Sequence, residues 1–249
     1  MGRRQCAFCP EPATTGEHIW SDWVNGLLGE KRKYVIREEI EGRTWQSVGL
    51  HQKLPVLCGT CNNVWGSDIE SLMKNVSSSM IETGDPKILK AEDIATICVY
   101  MQLKAFVSDY GQEDLVSFYD LSQRRAFRDD FTFPPGTNIW LARTFDDHGV
   151  FKGAYAAPPF NSPKRFHAHI FTISLGQLVI QLTSAKWTKK SNRKFGKPPF
   201  FTQAPAWDLF SIPIYPCPSI SVHWPPRQKL SSDLLDEFSD RWKVLNRAD

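Results

Sequence analysis

The spacing of apolar residues along the chain predicts several helices. Within each predicted helix, apolar side chains recur every three or four residues, which places them on one face. These stretches run from Ser21 to Gly29, from Asn62 to Val76, from Lys90 to Tyr110, from Ser122 to Asp130 and from Ser231 to Val244. Serine favours the first position of a helix, so we expect Ser21 and either Ser231 or Ser232 to be N-caps. The serines at 77–79 are expected to end the second helix.

Alternating apolar and polar residues predict strands between these helices. A hairpin is expected over Tyr34–Glu41 and Thr44–Leu50, and a short strand over Ser219–His223. Further antiparallel strands, consecutive in the chain, are expected over Asn138–Arg143, Gly149–Ala157, Phe166–Ser174 and Gln177–Ser184. The order of elements predicts an α+β fold in two domains, residues 1–83 and residues 88–249.

Composition limits the classes of protein to which the chain can belong. Its residues are 41% apolar and 23% charged, which is typical of a folded globular protein. The net charge is only +3, so any attraction to nucleic acid must come from local basic patches. No apolar segment follows Met1, and polar residues interrupt the apolar run from Ala168 to Leu182, so we expect neither a signal peptide nor a membrane span. The expected location is the cytoplasm.

Four cysteines in two C-x2-C pairs are the strongest chemical signal in the sequence. Cys6 and Cys9 form the first pair, and Cys58 and Cys61 form the second, with residues 10–57 between them. Two thiolates separated by two residues can occupy one edge of a tetrahedron, so two such pairs complete a zinc site. Disulfides are the alternative, but they need an oxidising compartment, which nothing else in the sequence indicates.

The residues around these cysteines resemble the HNH, or ββα-metal, nucleases, in the C-x2-C…EH…C-x2-C-N form of bacterial and phage members. The matching segments are residues 6–9, Glu17-His18-Ile19 and residues 58–63, and the resemblance covers residues 3–75. In that family two strands and a helix hold one catalytic divalent cation, and a separate cysteine-bound zinc stabilises the small fold. The resemblance therefore implies a zinc-stapled N-terminal ββα-metal domain, followed by a C-terminal antiparallel sheet flanked by helices.

The resemblance also implies roles for individual residues. His18 would be the general base that activates water, and Glu17 would take the place of the acid that ligates the catalytic metal. Asn62, at the start of the helix after the second cysteine pair, would take the place of the His or Asn that reaches the metal. A further ligand one turn later would fall on a glycine, so Asp68 or Glu70 is expected to substitute for it.

These roles suit the chemistry of phosphodiester hydrolysis, which needs a deprotonated water and a cation to absorb charge on the phosphate. The pKa of imidazole lies closest to neutrality, so His18 can accept a proton. Oxygen ligands from Glu17 and Asn62 suit Mg²⁺ or Mn²⁺, whereas thiolates suit structural Zn²⁺. One family residue is missing: Lys53 and Pro55 lie where a middle asparagine is typical.

Basic clusters are the candidate nucleic-acid contacts. The residues in them are Lys31, Arg32, Lys33, Lys189, Lys190, Arg193 and Lys194. The second group belongs to a loop that also carries aromatic residues, so it could grip a phosphate backbone and stack on bases. The alternative is an ordinary solvated surface.

Each candidate also has a structural alternative. His18 could be a core histidine beside the zinc, Glu17 could pair with Thr14, and Asn62 could cap the helix that it opens. Asp68 and Glu70 could belong to the solvated face of that helix. Two histidines on one predicted strand, His167 and His169, share a face as a metal pair would, but a core role is more usual.

The leading hypothesis is an HNH-type endonuclease that hydrolyses the phosphodiester bonds of DNA with one divalent metal ion. By analogy with the family, the C-terminal domain would position or restrict the nuclease in a mobile element or in phage defence. The expected partners are DNA, a second copy of the chain or a partner protein of a defence system, and no membrane. The rival hypothesis is a catalytically inactive, zinc-organised protein that binds nucleic acid or serves as a scaffold or sensor.

Overall fold

A pair of short antiparallel strands and the helix that follows them carry the cysteines. In the computed structural model, which describes residues 4–29, 33–37, 44–48, 51–111, 117–145, 151–156, 166–187, 201, 203–216 and 221–242, strand β1 (Thr15–His18) pairs with β4 (Lys53–Leu57). Helix α1 (Asp22–Leu28) follows β1, and the hairpin of β2 (Lys33–Arg37) and β3 (Thr44–Val48) lies between α1 and β4 in the chain. The predicted helix and hairpin in this segment are thus confirmed.

The second cysteine pair opens a long helix. A π-helical turn over Cys61–Gly66 continues directly into α2 (Ser67–Glu82). The predicted break at residues 77–79 is wrong, because the hydroxyls of Ser77 and Ser78 donate to carbonyls one turn earlier, at 2.7 and 2.6 Å. Such bonds keep serine side chains within a helix rather than at its end.

Two more helices follow close behind α2. The short strand β5 (Lys87–Lys90) leads into α3 (Ala91–Gly111), and α4 (Leu121–Asp130) begins at an Asp120 capping box. The last helix of the described residues is α5 (Ser232–Asp240), which Ser231 caps by accepting a hydrogen bond from the Leu234 N–H. The predicted helices over Lys90–Tyr110 and Ser122–Asp130 are confirmed within one residue, whereas the last helix ends at Asp240, before the predicted end at Val244.

The C-terminal part forms a five-stranded antiparallel sheet in the order β10-β6-β9-β8-β7. Its strands are β6 (Asn138–Arg143), β7 (Phe151–Ala156), β8 (Phe166–Leu175), β9 (Leu178–Trp187) and β10 (Ser211–Tyr215). All four predicted strands are confirmed, although β6 pairs with β9 rather than with its neighbour in the chain. A strand that was not expected, β10, contains Pro213 and lies at the sheet edge, where a missing N–H donor is tolerated.

The small strand β11 (Ser221–Trp224) pairs with β5 and so ties the end of the chain to the start of α3. Within the sheet, alternate residues face two apolar clusters: Ile139 and Leu141 belong to one, and Trp140 and Ala142 to the other. The sheet is therefore buried on both faces. No helix of the described residues combines the length and the apolar character needed to cross a membrane.

One apolar core connects the cysteine-bearing segment with α3 and α4. The ring of Phe8 packs 5.0 Å from Trp65 and 5.8 Å from Phe106, and Phe106 packs 5.2 Å from Phe127. Trp65 is therefore a packing residue of this core. The fold is mixed helix and sheet with a four-cysteine cluster, and the division at residues 83–88 stays a prediction.

Candidate metal centre and adjoining charge cluster

The four cysteine sulfurs converge, although one pair precedes β1 and the other follows β4. All four sulfur atoms lie within 4.8 Å of one another. Cys9 Sγ is 3.5 Å from Cys58 Sγ and 3.8 Å from Cys61 Sγ. Four thiolates at about 2.3 Å from a zinc ion in a tetrahedron are separated by about 3.8 Å. The cluster, completed by Cys6, could therefore hold a metal ion such as zinc.

Backbone hydrogen bonds hold the two cysteine pairs together. The Ala7 N–H donates to the Val56 carbonyl at 2.9 Å, which docks the first pair on β4. The Cys61 N–H points at the sulfur of Cys58, 3.4 Å away, within the second pair. A site preformed in this way needs little rearrangement to accept an ion.

Within the cysteine cluster one thiol favours the charged form of sulfur that a metal requires, whereas a hydrogen bond from Cys6 raises the pKa of Cys61 and burial raises that of Cys9. A hydrogen bond from Cys61 is the main cause that lowers the pKa of Cys6 to about 4, against the opposing effect of burial. Arg128 of α4 hydrogen-bonds Cys61, so a guanidinium lies beside the thiolates. Four thiolates and a divalent ion sum to two negative charges, which Arg128 partly offsets. The sequence analysis missed Arg128, because its position on a charged helix carries no local sign of this contact.

Glu17 points from β1 into the core, where it meets Lys104 of α3. The two side chains are 6% and 1% exposed, and Glu17 Oε1 lies 2.5 Å from Lys104 Nζ. The same Nζ lies 2.6 Å from Glu70 Oε1 and donates to the backbone carbonyl of His18 at 2.7 Å. Glu17, Glu70 and Lys104 are named the charge cluster below. Glu17 therefore does not pair with Thr14.

Neighbouring hydroxyls complete the charge cluster. Ser21 occupies the predicted N-cap position of α1, but its hydroxyl donates to Glu70 Oε1 at 2.5 Å instead of capping the helix. The same hydroxyl lies 3.2 Å from the Tyr100 hydroxyl. Ser21 is thus the N-cap residue by position, as predicted, but its side chain makes no capping hydrogen bond.

The charges in this cluster follow from burial and pairing. Burial alone would favour a neutral amine, but the Glu17 and Glu70 carboxylates outweigh it and raise the pKa of Lys104. The Lys104 ammonium in turn outweighs burial at Glu70 and lowers the pKa of that carboxyl. Burial raises the pKa of Glu17, the more enclosed of the two acids. Lys104 is therefore a charged ammonium held between two acids.

His18 lies on the opposite face of β1 from Glu17, because side chains alternate along a strand. Its side chain is 17% exposed, and Nε2 lies 2.9 Å from Asp22 Oδ1. Burial is the main cause that lowers the pKa of His18; Asp22 opposes the shift, and the ammonium of Lys53, its cross-strand partner, adds to it. The imidazole is therefore neutral at neutral pH, and the Asp22 contact places the proton on Nε2 and the lone pair on Nδ1.

Asn62 and Asp68 do not join the charge cluster. The Asn62 amide nitrogen donates to the Gly16 carbonyl at 3.3 Å, which ties the π-helical turn to β1. Asn62 lies inside that turn, which Thr60 precedes, so it is not a helix cap. Asp68 is exposed on α2, whereas Glu70 is brought to Lys104. Of the two residues predicted as the further ligand, Glu70 lies beside Lys104 and Asp68 does not; a metal-ligating role for either stays a prediction.

The two strand histidines differ in burial. His167 is exposed, whereas His169 is fully buried with Nδ1 3.2 Å from the Tyr119 hydroxyl, and burial lowers its pKa to about 4. Throughout the described ranges, the four cysteines are the one group of three or more ligating side chains that could hold a metal ion. A metal pair of His167 and His169 is therefore not supported.

The candidate nucleic-acid contacts fall mostly outside the described part of the chain. Lys33 begins β2, and only its backbone is described. The others lie outside the described residues: Lys31, Arg32, Lys189, Lys190, Arg193 and Lys194. Their role in binding DNA stays a prediction.

Comparisons with protein-family models, curated proteins and solved structures find no match to this chain. The HNH resemblance thus depends on the motif residues and on what their positions allow. The structure brings Glu17, Glu70 and the backbone carbonyl of His18 together around Lys104. The observed positions differ from those that the HNH resemblance implies in the placement of Asn62 and in the presence of Lys104.

The charge cluster does not fit a catalytic divalent cation in this arrangement. The two carboxylates expected to ligate Mg²⁺ or Mn²⁺ converge on the Lys104 ammonium, which already occupies the position between them. The sequence analysis missed Lys104, although it carried a signal. A lysine within the apolar stretch of α3, between Leu103 and Ala105, is unusual unless it has a buried partner.

The opposing effects of Asp22 and Lys53 on His18 can be measured separately. Asp22→Asn removes the carboxylate that stabilises the imidazolium, so the pKa of His18 should fall further. Lys53→Ala removes a repelling ammonium, so the pKa should rise. Both groups are exposed, so we expect small shifts of opposite sign in the pKa of His18. NMR titration of the imidazole measures them, and His18→Ala assigns the signal. Shifts of equal sign in the two variants would contradict the described placement of His18.

Proposed function

We propose that this chain is an HNH-type hydrolase of nucleic-acid phosphodiester bonds, acting on DNA, with His18 as its general base. The observation that supports this best is the pairing of a partly exposed, neutral His18 with Asp22 at 2.9 Å. A carboxylate that orients a neutral imidazole is the usual arrangement of a histidine base. We also propose that the ion held by the four cysteines is Zn²⁺ and that its role is structural.

The residues around His18 can perform the first step of hydrolysis. Nδ1 accepts a proton from water while Asp22 stabilises the imidazolium that forms. Lys53, exposed and directly across the strand pair from His18, offers a positive charge to the phosphate that the water attacks. Lys104 holds the carbonyl of His18 and so fixes the backbone from which the imidazole projects. No step is assigned to a divalent cation, since the charge cluster does not fit one.

Substituting His18 by alanine should abolish nicking of supercoiled plasmid. General-base catalysis contributes about 10²–10⁴-fold, and a loss of that size is expected. The assay is run on zinc-loaded protein with Mg²⁺, with Mn²⁺ and without added divalent ion. The matched control is His223→Ala, because His223 is an exposed histidine on β11. Nicking by His18→Ala at the rate of the control would reject His18 as the base, provided that zinc content is unchanged.

A second candidate function is binding of nucleic acid without hydrolysis. Two observations favour it: Lys104 lies where a catalytic cation is expected, and Asn62 is engaged by Gly16. On this hypothesis the wild-type protein shows no nicking under any ion condition but retains salt-dependent binding of DNA. Fluorescence anisotropy with labelled duplexes at several salt concentrations measures the binding. A setting in phage defence, and a partner protein there, are proposals that depend on the family resemblance alone.

A further inference from the structure

We propose that the ammonium of Lys104 is the resident cation of the charge cluster, and that the native protein therefore binds no divalent cation between Glu17 and Glu70. The inference concerns the charge at this position and stands whether or not the protein cleaves nucleic acid.

The contacts of Lys104 use the full donor capacity of an ammonium. Its Nζ donates to Glu17 Oε1 at 2.5 Å, to Glu70 Oε1 at 2.6 Å and to the His18 carbonyl at 2.7 Å. An ammonium has three N–H donors, so each is matched by one oxygen. Two carboxylates and a backbone carbonyl are also the hard oxygen donors that a divalent cation prefers. The protein thus builds a cation site and fills it with its own side chain.

Burial makes this occupation exclusive. The Lys104 side chain is 1% exposed, and its stem belongs to a helix whose neighbouring residues form the apolar core. A divalent ion entering between Glu17 and Glu70 would displace the ammonium into that core, where an unpaired charge is very costly. The ring of Tyr100, with its centroid 5.4 Å from Nζ, closes another side of the position. Exchange between Lys104 and a metal ion therefore requires α3 to move away from α2.

The position of Lys104 in the chain gives this arrangement a structural consequence. Glu17 and Glu70 belong to the segment that resembles the nucleases, whereas Lys104 comes from the helix that follows it. The second part of the chain thus supplies the charge on which the first part depends. Movement of α3 relative to α2 would be the event that opens the site to an ion.

Counting of bound Mn²⁺ tests the inference. The electron paramagnetic resonance signal of free Mn²⁺ is measured as zinc-loaded full-length protein is added. The protein is loaded with zinc first so that the cysteine cluster is already filled. We expect the wild-type protein to bind no Mn²⁺ that Glu17→Gln or Glu70→Gln removes. Lys104→Ala, which empties the position and leaves the three oxygens, is expected to gain a single Mn²⁺ per chain. The triple variant with Glu17→Gln and Glu70→Gln should lose that ion again.

A matched control is Lys87→Ala, since Lys87 is a partly buried lysine whose Nζ donates to the Val76 carbonyl at 2.6 Å and forms no ion pair with a carboxylate of the described residues. It should behave as the wild-type protein does. Stoichiometric binding of Mn²⁺ to wild-type protein, abolished by Glu17→Gln, would overturn the inference even if Lys104→Ala failed to fold. A folded, zinc-containing Lys104→Ala protein that binds no Mn²⁺ would overturn it as well.

Discussion

Replacing Cys58 by serine is expected to abolish metal binding by the cysteine cluster and to unfold the cysteine-bearing segment. Cys58 is 5% exposed, and its sulfur lies 3.5 Å from that of Cys9, so the substitution removes one of four ligands from the interior of the cluster. Binding of structural zinc contributes roughly 10–16 kcal/mol in small zinc domains, and this energy is folding energy. A hydroxyl does not replace a thiolate as a zinc ligand. Zinc content by mass spectrometry and thermal unfolding by circular dichroism measure the two effects.

The matched control for this prediction is Cys98→Ala. Cys98 is equally enclosed, at 2% exposure, but belongs to α3 and not to the cysteine cluster. Its loss is an ordinary core truncation that should cost about 1 kcal/mol and leave the zinc content unchanged. A Cys58→Ser protein that is free of zinc yet melts at the same temperature as the control would show that the ion does not hold the fold together.

The sequence predicted those parts of the site whose geometry is local. Two residues between paired cysteines determine how closely the thiolates approach, and the predicted convergence of the two pairs is observed. What it missed depends on contacts between distant segments. Lys104 lies 87 positions from Glu17 along the chain, so no local sequence pattern predicts their contact.

Errors in the predicted fold have the same origin. The serines of α2 were expected to end the helix, but their hydroxyls find carbonyls within it. Strand β10 was hidden by Pro213, whose lack of an N–H matters only if the strand is central, and its edge position could not be known from one segment. Propensity is a weak guide wherever the neighbours of an element decide the outcome.

The charge cluster also changes how the function of the C-terminal part can be tested. A chain that ends at residue 89 would lose Lys104 and the ring of Phe106 that packs against Phe8. Glu17 and Glu70 would then face each other without a cation, and part of the core would be exposed. Loss of activity on truncation would therefore not distinguish a sensor from a structural partner. Single substitutions at Lys104 are the sharper experiment.

Replacing Lys104 by methionine is expected to destabilise the protein by about 3–5 kcal/mol at neutral pH. Removal of one partner from a buried ion cluster leaves the other charges without compensation, which is the costly case. Here it leaves the carboxylates of Glu17 and Glu70, of which Glu17 is 6% exposed. Methionine retains most of the volume of the lysine stem, so the effect measures charge rather than a cavity. Urea unfolding at constant zinc content gives the free energy.

The pH dependence and a compensated variant separate this charge effect from a packing defect. In Lys104→Met the buried carboxyls have no cation, so burial raises their folded pKa values above those of the unfolded chain. The native state then holds more protons than the unfolded state between those values, so stability falls as pH rises through this window. The loss of unfolding free energy relative to wild type should be smaller at about pH 6 than at about pH 8.

Adding Glu17→Gln and Glu70→Gln should recover most of the lost stability, because replacing a whole buried ion cluster by uncharged groups often changes the free energy of unfolding little. A deficit that is independent of pH and persists in the triple variant would mean that Lys104 matters for its shape and not for its charge.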